Sequence, residues 1–562
     1  MPDLSLAPAF TLARAAELVA ELWGIEGELL ALPGERDQNF RVTPTTGEPI
    51  VVKITSAEED RALLDAQHAA FEHLREHVPI CPRLIPTKAG ATMGSIVGAS
   101  GEHLVRAVAY IPGVALAELA QVDEPLLEQL GSWLGRLDRA LLDLDRPALH
   151  RSTFDWDLAR GEAVVRRDSP LIPDAALRGQ ITELLDRYVA HTKPWLPRLR
   201  RSTIHADAND HNVIVDPHTQ AIVGLIDFGD MIHSWTVGEL AIAAAYAVLD
   251  RPEPLDAIAA LCRGYQSEHP LEPAEIEALY GLACLRLCVS ASLFANQIRQ
   301  RPGDAYLEIS QAPLRRTLPV LLERPFALAR EVIHDACTNP SRPRRAPTST
   351  LLDKRRKHLL PSARLGHASH PVHLRRAWMQ YLFDVDGRRL LDAYNNVPHV
   401  GHCHPRVVAA ALAQQRRLAT NTRYVYESLP EYAERLAATL PAPLEICKFL
   451  NSASEANELA LRLVRAATGR RDVITLEHAY HGHTSALIDI SPYKHAGPGG
   501  LGAPDWVHVA PLPDLYRGRA RDLPPHEAAR VYAQAVADLI AELEARGDRP
   551  AAFIAESCPS VG

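Results

Sequence analysis

The sequence predicts an α+β domain of two lobes, followed by a segment of a separate α/β domain. Three observations predict it. His205-Ala206-Asp207-Ala208-Asn209-Asp210-His211-Asn212 is followed fifteen residues later by Asp227-Phe228-Gly229. Upstream of it runs a series of short apolar strands, one ending in Lys53. Between residues 338 and 350 the chain is rich in proline and arginine and has no periodic apolar face, which reads as a linker. At 562 residues the chain exceeds one core.

The catalytic reading starts at Asp207. An Asp and an Asn five positions apart, then an Asp-Phe-Gly after an apolar hairpin (Val213-Ile214-Val215 and Ala221 to Ile226), is the layout of a phosphotransferase catalytic loop and its metal arm. Phosphoryl transfer asks the protein mainly for positioning and charge. Asp207 suits the group that orients the attacking hydroxyl and accepts its proton. Asn212 and Asp227 suit the two oxygen ligands of a Mg²⁺ ion.

The small lobe is predicted from the strands upstream. Glu28 to Leu32 and Asn39 to Val42 flank the turn Gly34-Glu35-Arg36-Asp37-Gln38, which is placed to lie over phosphates. Thr45 to Glu48 turns into Pro49 to Ile54. A lysine at the end of an apolar strand is costly to bury unless it faces an anion, so Lys53 is the candidate α/β-phosphate contact. The helix from about Ala57 to Glu76 should carry its partner, for which Gln67 and Glu72 both qualify. Leu104 to Gly113, with Arg106 and Tyr110, reads as a strand ending in the hinge that meets the nucleotide base.

These residues carry a resemblance. Leu32 to Phe40, the core Asp207 to Asn212, and Ile226 to Met231 are similar to the aminoglycoside phosphotransferase superfamily, in particular to its hydroxylysine kinase branch. The likeness covers roughly residues 10 to 330. It implies a protein-kinase-like domain over 1–335, with a small lobe to about 108 and a large lobe from about 109. It also implies a small amino-alcohol substrate, with ATP or GTP and Mg²⁺. Ala206 stands where that superfamily usually has glycine. Aminoglycoside modification is the alternative reading.

Beyond the 336–357 linker the signals change. Leu382 to Asp392 is a hairpin around an Asp-Gly turn. His402-Cys403-His404 is not a convincing metal site, because adjacent side chains point apart. Asn451-Ser452-Ala453-Ser454 opens a helix after a predicted strand Lys448-Phe449-Leu450. Small residues there can present backbone N–H groups to a phosphate, although Ser452 with Glu455 also makes an ordinary capping box. Asp472 to Leu476 is a strand, followed by Glu477-His478-Ala479-Tyr480-His481-Gly482-His483.

Together these motifs resemble fold-type I, class III aminotransferases, and most of all the phospho-lyase branch acting on phosphoethanolamine and phosphohydroxylysine. The resemblance implies pyridoxal phosphate, with Ser452, Ala453 and Ser454 at its phosphate, Tyr480 on its ring beside His481, and Glu556 at the end of the next strand. Ala453 stands where the family usually has glycine, which would strain a backbone with positive φ. The Schiff-base lysine and the acid under the pyridine nitrogen lie downstream of Glu556 in that family. Lys354, Lys357, Lys448 and Lys494 lie on no suitable motif. Residues 358–562 are therefore expected to be an incomplete domain with weak or absent cofactor binding, and possible functions include a homodimerisation module.

Composition bounds the partners. The net charge of -9, together with the lack of aromatics among Arg342, Arg344, Arg345 and Lys354 to Lys357, argues against nucleic acid. Eight scattered cysteines without a C-x-x-C pair suit reduced thiols and a cytoplasmic setting. No signal peptide is expected. The apolar runs near Ile242 to Leu249 and Leu279 to Phe294 read as buried helices, the second because it carries Arg286, so no membrane span is expected.

Overall fold

In the computed structural model, residues 8–34, 37–300, 311–339, 346–361, 365, 369–395 and 397–559 are described. Glu35 and Arg36, in the predicted phosphate turn, and Asn396 lie outside them. The chain forms two compact units, Met1–Leu412 and Ala413–Gly562.

The first unit opens with the helix Leu12–Trp23, capped by Thr11, whose side chain accepts from Arg14 N. It covers one face of a five-stranded antiparallel sheet in the order Gly27–Leu32, Gln38–Pro44, Ile50–Ile54, Gly101–Ala109, Gly94–Gly98. Strand alternation decides what that face holds. Ile50, Val52 and Ile54 are buried in the small-lobe core with Phe40 and Val42, which turns Val51 and Lys53 to the other face. Lys53 is in register with Asn39 on one side and Arg106 on the other. The helix Arg61–Leu74 follows, capped by Asp60.

The large lobe is mostly helical. Its centre is the helix Pro273–Gln300. The span Pro273–Arg299 is long and apolar enough to cross a membrane by length and composition, and 94% of its most apolar stretch is buried inside the protein. It serves as the core helix of this lobe. The lobe also carries a hairpin of Val213–Asp216 and Ala221–Leu225, with Val114–Ala115 as a third strand. The predicted two-lobed α+β architecture is the one observed.

Two local expectations differ. Within the predicted linker, Thr348–His358 is a helix that buries no residue. Its last turn carries Arg355, Arg356, Lys357 and His358, cations that complement the carbonyl end of a helix. The boundary between compact units falls at residues 412 and 413, because a three-stranded meander, Leu374–Trp378, Tyr381–Asp384 and Arg389–Leu391, packs with the first unit.

The second unit is built on a parallel sheet in the order Val507–Ala510, Val473–Leu476, Ala552–Phe553. The predicted strand Lys448 to Leu450 is irregular chain. Val473–Leu476 already has a strand on each side, so that segment has no ladder to join there. Phe449 instead stacks on Tyr432, with ring centroids 5.0 Å apart.

Candidate active sites

In the first unit, the catalytic segment and the Asp-Phe-Gly arm leave the two ends of the 213–225 hairpin. Ile226 N donates to Asn212 O at 2.9 Å, which closes the base of the hairpin and sets the two in register. Asp207 is held on every side by donors. Its Oδ1 accepts from Asn209 Nδ2 at 3.0 Å and from Arg286 Nη2 at 3.1 Å, and its Oδ2 accepts from Asn212 Nδ2 at 2.7 Å. Arg286 comes from the core helix, is 2% exposed, and lies with its guanidinium 4.4 Å from the Trp156 ring centre. Burial, with the Asp230 and Asp227 carboxylates nearby, pushes the Asp207 carboxyl well above its ordinary range, and Arg286 opposes that shift.

Lys53 reaches across the cleft. Its Nζ stands 3.1 Å from Asp227 Oδ1, and this ion pair holds the Asp227 carboxyl below the usual range. Gln67, not Glu72, faces the cleft from the helix Arg61–Leu74. Gln67 is 1% exposed, accepts from Arg106 Nη1 at 2.5 Å and donates to Gly229 O at 3.4 Å. Glu72 lies on the exposed side near Arg75. Arg106, read from sequence as a nucleotide contact, is buried and engaged by Gln67. Gly34 is packed so closely that a side-chain carbon there would stand 2.3 Å from Asp37 O. Tyr110 lies under the Arg41 guanidinium, 5.4 Å from its ring centre, and its N–H donates to Pro49 O.

His205 ties this site to the arm. Its Nε2 lies 3.1 Å from Ile226 O and its Nδ1 lies 3.2 Å from Asp207 N, the geometry of a neutral ring that donates from Nε2 and accepts at Nδ1. Burial lowers its pKa to about 4, consistent with that form. Its edge meets the Phe228 face at 4.4 Å. Sequence reasoning assigned no role to His205, and it noticed Arg286 only as a charge interrupting an apolar run. A lone arginine inside an otherwise apolar helical run was the one trace of Arg286 in the sequence, and it names no partner.

The Mg²⁺ reading is tested by the donors available. Asn212 spends its amide N–H on Asp207, which leaves its carbonyl oxygen as a ligand, and Asp227 supplies a carboxylate. Both are hard oxygen donors of the kind Mg²⁺ takes, so the residues fit.

In the second unit, Ser452 caps the helix Ala453–Thr468: its Oγ accepts from Glu455 N at 3.1 Å and donates to Glu455 Oε2 at 3.1 Å. Ser454 Oγ lies 3.3 Å from His483 Nδ1 and 3.4 Å from His483 N. Gly482 folds over it, where a side-chain carbon would stand 2.7 Å from that Oγ. Tyr480 N donates to Glu556 Oε1 at 3.1 Å, so these two predicted residues meet. The Tyr480 ring has the Tyr493 edge 6.1 Å away and Lys494 Nζ 5.7 Å from its centre. His481 is turned inward: it is 6% exposed, with Nε2 3.1 Å from Thr475 Oγ1. A helix N-terminus with hydroxyls at its first turn, beside a half-buried aromatic ring, fits the phosphate and ring of pyridoxal phosphate.

Residues 28–279 match the model of the phosphotransferase enzyme family, and residues 364–562 match that of class-III aminotransferases. The chain joins a phosphotransferase-family domain to a class-III aminotransferase segment. Over 330 residues the chain is 28% identical to a hydroxylysine kinase of Danio rerio, covering 56% of this chain and 92% of that one. Over 210 residues it is 47% identical to an alanine–glyoxylate aminotransferase 2-like protein of Drosophila melanogaster, covering 37% of this chain and 42% of the relative. An ethanolamine-phosphate phospho-lyase homolog of Caenorhabditis elegans is 42% identical over 219 residues, covering 37% and 46%. The chain thus spans less than half the length of these two aminotransferase-type relatives.

Proposed function

We propose that the phosphotransferase domain transfers the γ-phosphoryl group of ATP or GTP to the hydroxyl of a small amino alcohol, of the hydroxylysine or ethanolamine type. The observation that carries this reading is the Asp207 carboxylate, held in one orientation by Arg286, Asn209 and Asn212, on the same hairpin base as the Lys53–Asp227 pair. Asp207 accepts the proton of the attacking hydroxyl at its carboxylate. Lys53 moves from Asp227 to the nucleotide phosphates when they enter, since both are anions within reach of one flexible side chain. Asn212 and Asp227 hold Mg²⁺, which supplies charge neutralisation at the phosphates when bound. His205 and Gln67 fix the Asp-Phe-Gly arm from either side.

The class-III segment suits the next chemical step. A hydroxyl is a poor leaving group, whereas phosphate leaves readily from a carbanion, and pyridoxal phosphate supplies the electron sink for such a carbanion. The kinase product is the class of compound a phospho-lyase consumes. Ser452 to Ser454 bind the cofactor phosphate and Tyr480 faces the ring, with its backbone tied to Glu556.

Incubating the purified chain with Mg²⁺ and ATP or GTP against hydroxylysine, ethanolamine and a panel of aminoglycosides tests this. Nucleoside diphosphate release with a mass gain of one phosphoryl group on an amino alcohol is expected. Phosphorylation of the aminoglycosides alone would replace this reading with the antibiotic one.

A further inference from the structure

One corner of the large lobe collects charges from two family segments. Glu253 caps the helix Pro254–Glu268, its carboxylate accepting from Leu255 N at 3.2 Å, and Asp256 lies in the first turn. Both acids are buried, at 4% and 8% exposed. Arg324, fully buried, places Nε 3.5 Å from Glu253 Oε1. The remaining cations come from the meander that begins at Leu374. Arg376 Nη2 is 2.6 Å from Asp256 Oδ1, and Arg375 Nε is 3.2 Å from Asp256 Oδ2.

Apolar contacts surround this network. Phe383 is fully buried and Trp378 is 6% exposed, and both belong to the same hydrophobic core as the large-lobe helices. The Arg324 guanidinium stands 4.8 Å from the Phe383 ring centre and donates to Gly387 O at 2.7 Å. Gly387, at the Asp-Gly turn with φ +77°, fits without clearance: a side-chain carbon there would stand 1.7 Å from Pro252 O. A segment merely passing over a surface does not bury two acids, an arginine and a phenylalanine together. Desolvating those charges is tolerable only when partners and packing are in fixed register.

We propose that Glu253, Asp256 and Arg324 form a docking seat on the phosphotransferase domain, and that its partner is the opening β-meander of the class-III segment, residues 374–391. The seat, not the Pro/Arg-rich stretch, fastens the class-III segment to the phosphotransferase domain. Cutting the covalent connection therefore leaves the two pieces joined.

The test uses the full chain with a specific protease site inserted between Thr338 and Thr348. After cleavage, the two fragments are expected to co-elute on size exclusion at physiological salt. Phe383→Asp and Gly387→Ala, which leave the seat residues untouched, should make them elute separately. Asp256→Arg should do the same, and combining it with Arg376→Asp should restore part of the complex. Separation of the unmutated fragments overturns the proposal, as does co-elution of both meander variants. Should cleaved protein precipitate, hydrogen exchange on the uncut chain decides. Amides of 376–383 should exchange as slowly as the large-lobe strands, and at least about tenfold faster in Gly387→Ala. Fast exchange in the unmutated chain overturns the proposal equally.

Discussion

Two alanines stand where the families resembled by this chain usually have glycine, and the structure treats them oppositely. Ala206, before the catalytic Asp207, has φ +67°, in the left-handed region that disfavours a side chain. Ala453, in the segment proposed to hold the cofactor phosphate, is the first residue of a regular helix and carries no such strain. The reason lies in what each backbone must do. Ala206 turns the chain sharply between a strand and the catalytic Asp, with its N–H donating to Glu239 Oε2 at 2.9 Å inside the lobe. At Ala453 only N–H groups have to point outward, and any helix start provides that. A missing glycine therefore means strain in one site and nothing in the other.

The contrast extends to how each site is built. In the phosphotransferase domain, side chains distant in sequence converge: Arg286 on Asp207, Lys53 on Asp227, Arg106 on Gln67. In the second unit, the links at the predicted cofactor residues, Ser454 to His483 and Tyr480 to Glu556, join partly exposed residues, and the helix Ala453–Thr468 buries only Leu461. Substitutions in the first site should therefore propagate, whereas those in the second should stay local.

The largest effect should come from Asp207→Asn, which is expected to cut turnover by about 10² or more while nucleotide binding persists, the scale of a lost positioned base. Asp227→Ala should instead weaken Mg²⁺-nucleotide binding, read by titration calorimetry with and without Mg²⁺. Near-normal turnover in Asp207→Asn would remove the base from the scheme.

Arg286→Gln should cost less, about tenfold in kcat/KM, but it carries a signature that a structural role would not. Asp207 accepts a proton only when ionised, so activity falls as pH drops through its pKa. Burial and the neighbouring acids raise that pKa and Arg286 lowers it. Removing the arginine should therefore move the acidic limb of the pH–rate profile to higher pH. An unmoved limb would assign Arg286 to packing alone.

That Asp207, Asn212, Asp227 and Lys53 come together was legible in the sequence, because phosphoryl transfer demands fixed residue types at fixed spacing along one hairpin and one strand. Arg286 was not, since its partner lies 79 residues away and nothing local records the pairing. The choice between Gln67 and Glu72 was open because both are on one helix, and only the packing of that helix decides which side faces the cleft. The hairpin from Leu382 to Asp392 was readable from its Asp-Gly turn, though the strand Leu374–Trp378 before it was not read. Its docking was not, because a turn signal says nothing about the surface the strands will meet.

A smaller effect is the pH dependence of the first unit. His205 and His68 are buried neutral in the first unit, each with a pKa lowered to about 4 by burial. A histidine whose folded pKa lies below its ordinary value of about 6.5 contributes stability that is present above that pH and lost as pH falls toward about 4. Melting of the first unit should therefore drop between pH 7 and pH 5, and His205→Gln should flatten part of that slope. In the second unit, Ser454→Asp should abolish binding of pyridoxal phosphate in equilibrium dialysis by placing a negative charge at its phosphate. The kinase melting transition should not change.

The smallest effect returns to the two alanines, and its sign is the informative part. Ala206→Gly releases a left-handed residue worth about 1–2 kcal/mol of strain. Against that, glycine costs roughly 0.5–1 kcal/mol of extra unfolded-state entropy, and a buried methyl is lost at about 0.8 kcal/mol. The sum lies within about 1 kcal/mol of zero, so the first unit should melt at nearly its original temperature. Ala453→Gly gains nothing from relieved strain and loses helix propensity, about 0.5–1 kcal/mol, so the second unit should melt earlier. Paired thermal scans of the two variants measure the difference directly. If Ala206→Gly destabilised the first unit by clearly more than about 1 kcal/mol, no left-handed strain would be relieved there, and the turn before Asp207 would not be the backbone the protein adopts.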